Sequence, residues 1–294
     1  MDCFVPGQIL ISPKFDPEQA KSHLSDALPM PFEVLYSVED VLKHYGFGSL
    51  ITGFRQKFEH LPMVIRVPEG REEEASSKLR GQTYVASACP DYLVRPSGPI
   101  RLNRGAIDEA IHFIGAEAVG PMCGSACRIA VLDSGIDPGV VTPGALRLQQ
   151  YDSQAPAPLG TPPEDRLGHG SLVAAIIHRI APGAEILSVK VMNDAGTVGC
   201  LVAGLYLAEA SGPCHLIYLS LSVSCDGEPC TVCGTNVSAG VNAEQLQYFF
   251  QQFTRGSALG SVLIAAAGNN YSHVAMPAIF PEVLAVGAFD PDTH

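Results

Sequence analysis

Basic residues are scarce. The 294-residue chain has 18 Lys and Arg against 30 Asp and Glu, a formal net charge of −12 at pH 7. That argues against a nucleic-acid partner, because neutralising phosphates requires a basic surplus. Charge of either sign is sparse, at 16% of residues against 47% hydrophobic, whereas a disordered chain has the opposite balance. Long apolar runs are missing. None approaches the roughly 18 residues of a membrane-crossing helix, so no membrane span is expected. The stretch Met1-Asp2-Cys3-Phe4-Val5-Pro6-Gly7 lacks the basic start and apolar run of a signal peptide, and a cytoplasmic location is expected. Neither G-x-G-x-x-G nor G-x4-G-K-[ST] follows a strand candidate, which counts against a nucleotide-binding α/β domain.

What is present is a turn-rich chain, with 29 glycines and 23 prolines, long enough for one large domain or two smaller ones. Residues 7–12 alternate weakly and read as a strand. Residues 16–28 have helical spacing, with Ala20, His23, Leu24 and Leu28 on one face. Residues 63–67 and 85–94 read as further strands, the latter interrupted at Cys89-Pro90. Residues 72–79 read as a helix whose acidic start suits the helix dipole. Residues 1–100 thus form a small α+β domain, and Arg95-Pro96-Ser97-Gly98-Pro99 reads as an exposed link.

From about residue 104 the pattern changes. Helices are expected over 106–119, 172–180, 202–210 and 243–253. They alternate with short apolar strands at 129–132, 186–189, 216–219, 262–265 and 283–286. Nearly all-apolar strands between helices indicate an α/β fold, a mostly parallel doubly wound sheet covered on both faces. Residues 101–294 are assigned to it. Functional groups in such sheets gather beyond the carboxyl ends of the strands.

Three polar positions stand there. Asp133, in Val131-Leu132-Asp133-Ser134-Gly135-Ile136-Asp137, suits an acceptor that orients a histidine, but also a turn Asp, a metal ligand or a phosphorylatable Asp. His169 lies between Gly168 and Gly170 at the start of an apolar helix. The glycines admit close backbone approach, and the helix amino terminus is expected to lower the imidazole pKa, as a general base requires; a helix-capping turn with an incidental His reads equally simply. Asn269 ends the strand Val262-Leu263-Ile264-Ala265-Ala266-Ala267-Gly268, where its amide could donate to an oxyanion or simply make a turn. His178 and His215 lack such settings and read as structural or solvent-facing.

Taken together, these motifs resemble the subtilisin-like serine proteases, the subtilases, in the family's order. Asp133 in Asp-Ser-Gly-Ile-Asp matches the Asp motif. His169 in Gly-His-Gly-Ser matches the His motif, with Ser171 where Thr is usual and Leu172 where a second His is frequent. Asn269 in Ala-Ala-Gly-Asn matches the oxyanion Asn. The segments around Ile180-Ala181-Pro182-Gly183 and Phe280-Pro281-Glu282-Val283 are similar as well. The resemblance covers roughly residues 105–290. It implies a polypeptide substrate held in extended conformation by Gly196, in the Asp194–Gly199 loop, and by Ser220, Leu221 and Ser222, with Gly268 beside the oxyanion Asn. Ser222 departs from the family, which usually has Gly there. The resemblance also implies that residues 1–100 are a propeptide acting as an intramolecular inhibitor.

The family's nucleophilic Ser, in a Gly-Thr-Ser turn several tens of residues after the Asn, has no counterpart up to His294. Ser272 lacks the glycine elbow, Ser257 precedes the oxyanion strand, and Ser220 and Ser222 belong to a substrate strand. The expected function is a serine endopeptidase lacking its nucleophile as given, and so inactive. Alternatives are a split protease completed by a chain supplying the carboxy-terminal half, or a non-catalytic peptide- or partner-binding relative. No cofactor and no metal are expected. Cys225-x4-Cys230-x2-Cys233 with Cys214 upstream could hold zinc, but suits a disulfide or plain thiols better, and nine cysteines mildly favour a reducing compartment. Cys123 and Cys127 could pair in an oxidising one.

Overall fold

The computed structural model describes residues 3–97, 104–139, 148–152, 164–223, 242–268 and 274–288. The leading region runs β1 (Phe4–Pro13), α1 (Ala20–Ala27), β2 (Glu33–Ser37), α2 (Val38–His44), a 3-10 turn (Gly48–Leu50), α3 (Ile51–Phe58), β3 (Met63–Arg66), α4 (Glu72–Arg80) and β4 (Val85–Pro96). Its sheet is antiparallel, with β1 between β3 and β4 and with β2 outside β3. The alternation of β1 is weak because both faces are buried. Ile9 and Ile11 pack with Leu24 and Leu79 of α1 and α4, whereas Leu10 between them enters the larger core on the other face. Helix α1 starts at Ala20 instead of residue 16. Asp16 and Pro17 are spent on the preceding turn, where Gln19 N–H donates to Asp16 Oδ1 at 3.0 Å.

The second region opens with α5 (Arg104–Phe113), shorter than the expected 106–119. Gly115 adopts a left-handed φ of 68° and a separate 3-10 turn follows. Then come β5 (Arg128–Asp133), β6 (Leu148–Asp152), α6 (His169–Ile180), β7 (Glu185–Lys190), β8 (Gly196–Thr197), α7 (Val198–Ala210), β9 (Leu216–Leu219), β10 (Leu221–Val223), α8 (Ala243–Gly256), β11 (Val262–Ala266) and β12 (Val283–Val286). The sheet has the order β12-β11-β9-β5-β7-β6, parallel throughout, as expected of the α/β fold. Along β5, Val131 packs with Val173 and Ala174 of α6, while Ala130 and Leu132 point the other way into the core shared with α7. Among the described residues no helix is long and apolar enough to cross a membrane.

Helix α7 joins the two regions. All thirteen of its residues are buried, which a helix apolar on every face requires. One side faces the parallel sheet and the other the leading sheet. The contact is close at Gly199, where a Cβ would lie 2.7 Å from both the Tyr36 hydroxyl and a Val64 methyl. Strand β4 covers the amino ends of α7 and α8. Asp91 accepts from Gly199 N–H at 2.7 Å, Ser87 donates to the Gln245 carbonyl at 2.9 Å, and the Tyr92 hydroxyl accepts from Asn242 N–H at 3.0 Å. Lys57 of α3 makes an ion pair with the buried Glu209 at the end of α7.

Candidate active site

Asp133 is the last residue of β5 and His169 the first of α6, so both lie at the carboxyl edge of the parallel sheet. Helix α6 begins a turn earlier than expected, with Gly168 as its N-cap in a left-handed conformation, φ 80°. Gly170 meets a different need. A Cβ there would lie 2.1 Å from the Gly135 carbonyl oxygen, so the chain after Asp133 runs hard against the helix start. The expected close backbone approach is therefore made at Gly170, while Gly168 supplies the turn.

His169 Nδ1 lies 2.8 and 2.9 Å from the two carboxylate oxygens of Asp133, and both residues are at most 2% exposed. Ser134 N–H donates to Asp133 Oδ1 at 2.7 Å. Burial acts to lower the imidazole pKa, but the bond and charge of Asp133, with the charge of Asp165 behind them, outweigh it and hold His169 above its ordinary value. Burial likewise pushes the Asp133 carboxyl up against the opposing pull of His169. The lowering expected from the helix amino terminus is thus reversed: a buried carboxylate in direct contact outweighs a partial charge at a helix end.

Sequence reasoning missed Asp165, four residues before His169. It accepts from the hydroxyls of Ser134 and Ser171 and from the N–H groups of Gly168 and Ser171. An Asp preceding a helix start was the available signal.

The end of β4 is flanked by β8 and β10, antiparallel to both. Leu93 and Val94 stand opposite Thr197 and Gly196, while Val94, Arg95 and Pro96 stand opposite Val223, Ser222 and Leu221. Ser97 N–H donates to the Ser220 carbonyl at 2.9 Å, and the Ser220 hydroxyl donates back to the Ser97 carbonyl at 3.3 Å. Gly196, Ser220, Leu221 and Ser222 are therefore gathered on one strand, residues 93–97 of the same chain. Gly268 ends the β11 stretch with φ 89°, while Asn269 lies outside the described residues. Of the serines considered, Ser257 is tied to Glu209 and Ser261, and Ser272 lies outside the described residues.

Residues 124–294 match the sequence model of the Subtilase family, peptidase S8. The chain belongs to the subtilase family. It is a member of a family of serine proteases, hydrolases that act on polypeptides. Among curated proteins this subtilase is 31% identical over 176 residues to the Thermophilic serine proteinase of Bacillus sp. (strain AK1), an alignment covering 55% of this chain and 38% of that protein. The chain thus spans well under half the length of that relative. Two solved structures share its fold over 96% of its length. One is fervidolysin from Fervidobacterium pennivorans, a keratinolytic enzyme related to subtilisin, with TM-score 0.58, 17% identity and 43% of that chain covered. The other is the epidermin leader peptide processing serine protease of Staphylococcus aureus, with TM-score 0.54, 13% identity and 70% covered.

His215 is structural, its Nδ1 accepting from Arg128 N–H at 3.0 Å. Cys3 is disulfide-bonded. Cys89, Cys123, Cys127, Cys200 and Cys214 are free, so the local Cys123–Cys127 bridge is not formed. Cys225, Cys230 and Cys233 lie outside the described residues. Among the described residues no three His, Cys, Asp or Glu side chains gather as a metal-binding set.

Proposed function

We propose that this subtilase provides the acid–base half of a serine endopeptidase site and that its leading residues hold the substrate groove closed. The observation that carries the reading is the buried bond of His169 Nδ1 to both oxygens of Asp133. With a proton on Nδ1 held by Asp133, the other ring nitrogen, Nε2, is left as the acceptor for a nucleophile's proton. In the acyl transfer, His169 takes the proton of a serine hydroxyl and Asp133 stabilises the resulting imidazolium. Asn269 and a backbone N–H donate to the oxyanion. The nucleophile in this reading is a serine hydroxyl within hydrogen-bond reach of Nε2.

The substrate is a polypeptide in extended conformation, paired with Gly196 on one side and with Ser220–Ser222 on the other. That residues 93–97 already make those pairings supports residues 1–100 as an intramolecular inhibitor. The test is labelling of the protein, isolated from its source, by a serine-directed fluorophosphonate probe. Labelling and peptide hydrolysis that both vanish in His169→Ala are expected. A sample that binds peptide but neither labels nor hydrolyses would overturn the peptidase reading in favour of a peptide-binding relative.

A further inference from the structure

The pair at the centre of the site is built from two elements that must be fastened together. Asp133 ends a strand and His169 begins a helix 36 residues later. The Asp165 carboxylate, half-buried in the segment before α6, reaches both. Its Oδ1 accepts from Ser134 Oγ–H and from Gly168 N–H, each at 2.8 Å. Its Oδ2 accepts from Ser171 N–H at 2.8 Å and from Ser171 Oγ–H at 2.5 Å. The two hydroxyls then pass the connection on. Ser134 Oγ accepts from Gly170 N–H at 3.0 Å, and Ser171 Oγ accepts from Asp137 N–H at 2.8 Å. Every bond in this set joins the turn after Asp133 to the residues flanking His169, or holds Asp165 between them.

A helix cap alone does not account for the arrangement. Capping needs one side-chain oxygen on the first free N–H groups of the helix, which the contacts to Gly168 and Ser171 would supply. The bond to Ser134 reaches beyond the helix to the turn after Asp133, and Ser134 is bonded in turn through its own N–H to the Asp133 carboxylate. One carboxylate thus gathers four donors from both sides of the pair. The segment is held from the other side as well. Lys190, in register with Asp133 on the neighbouring strand, donates through Nζ to the Glu164 carbonyl at 2.5 Å.

We infer that Asp165 is a positioning residue that fixes the Asp133 carboxylate and the His169 ring relative to each other. The inference rests on the reading of Asp133 and His169 as the acid–base pair. Asp165 adds a second negative charge behind the imidazole. Among the described residues, charged or titratable groups near the pair include Lys190, turned to the Glu164 carbonyl, Tyr218 of β9, which feels the Asp133 charge, and Asp137, whose N–H donates to Ser171. Substituting Asn is informative because the amide can accept only through its oxygen. Its NH2 would face donors on one side or the other.

The experiment follows His169 by nitrogen-15 NMR in the full chain, reading its titration midpoint and the low-field Nδ1–H proton. Neither readout needs a nucleophile, so an unlabelled protein in the fluorophosphonate test and a negative result here are separate failures. Asp165→Asn is expected to lower the midpoint by at least about half a pH unit and to weaken the low-field signal through faster exchange. Asp165→Glu should restore part of both. Ser134→Ala, which keeps the Asp165 contacts to Gly168 and Ser171 but removes the Ser134 hydroxyl's bonds to Asp165 and to Gly170 N–H, should shift both in the same direction by less. A lower melting temperature in Asp165→Asn with midpoint and low-field proton unchanged would reduce Asp165 to a helix cap and overturn the inference. If Asp165→Asn does not fold, Ser134→Ala decides by the same criterion.

Discussion

The two sheets finish their faces differently. The parallel sheet is covered on one face by α6 and on the other by α7, both drawn from its own stretch of chain, and its carboxyl edge is left for Asp133 and His169. The leading antiparallel sheet covers only one face with its own helices α1 and α4. Its other face, with Leu10, Val64, Cys89 and Tyr92, belongs to one core with Leu201, Tyr206 and Phe253 of α7 and α8. The parallel sheet is therefore closed by helices of its own region, and the leading sheet in part by contact with that region. Helix α7, buried on every side, is where the two meet.

The sharpest way to break this comparison is to remove an aromatic from the shared core. Phe58 of α3 is fully buried, 4.8 Å from the Tyr206 ring and 6.1 Å from that of Phe253. It fits so closely that a Cβ on Gly256 would lie 2.3 Å from its ring. Phe58→Ala should cost about 3–5 kcal/mol in urea unfolding, through lost transfer energy and an unfilled cavity. If the regions share one core, the variant should lose hydrogen-exchange protection in α7 and α8 as well as in α3. Loss confined to α3 would show that the two regions are stabilised independently.

A smaller effect tests the polar part of the same contact. Asp91 is fully buried at the amino end of α7, and burial pushes its carboxyl up to about 6, against the pull of the Gly199 N–H and the Thr197 hydroxyl. In the unfolded chain the carboxyl returns to about 4. The folded state therefore holds this proton more tightly, and the Asp91 contribution to stability is largest below pH 4 and is lost as pH rises through 6. Stability at pH 5 should exceed that at pH 7.5 by about 1.4 kcal/mol on account of this group. Asp91→Asn keeps an acceptor for Gly199 and removes the titration. The difference in urea midpoint between the two proteins should change with pH over that window; a constant difference would remove the role assigned to Asp91.

These contacts also explain what was legible in the sequence. Asp133, His169 and the apolar strands β5, β7, β9, β11 and β12 were readable because their signals are local: a polar residue ending an apolar run, or a His between glycines. Residues 33–58 gave no reading. Strand β2 is a half-exposed edge, and α2 and α3 show their apolar faces only against α7 and α8. Strand β6, Leu-Gln-Gln-Tyr-Asp, is not an apolar run at all. Asp165 escaped because its partners are scattered, two of them ahead in α6 or its N-cap and one 31 residues behind. No periodic pattern records such a set. Gly196 and Ser220–Ser222 were singled out by family resemblance alone, and their pairing with the end of β4 is visible only in three dimensions.

The smallest expected effect compares the ends of two helices that pack together. Helix α2 of the leading region starts at Ser37 with a reciprocal capping box: Asp40 N–H donates to Ser37 Oγ at 3.1 Å, and Ser37 N–H donates to Asp40 Oδ2 at 2.9 Å. Helix α7 has a single cap bond, from Cys200 N–H to Thr197 Oγ1 at 3.2 Å, and depends on Asp91 of the other region for Gly199. Ser37→Ala removes one acceptor and the box with it, at a cost of about 1 kcal/mol. Because α2 carries its whole cap locally, faster hydrogen exchange should be confined to residues 38–41. Thr197→Ala, removing a bond beside the Asp91 contact, should loosen the start of α7 and also the β4 segment around Asp91. Exchange that spread equally from both substitutions would contradict a leading region capped from within and a peptidase helix capped partly from without.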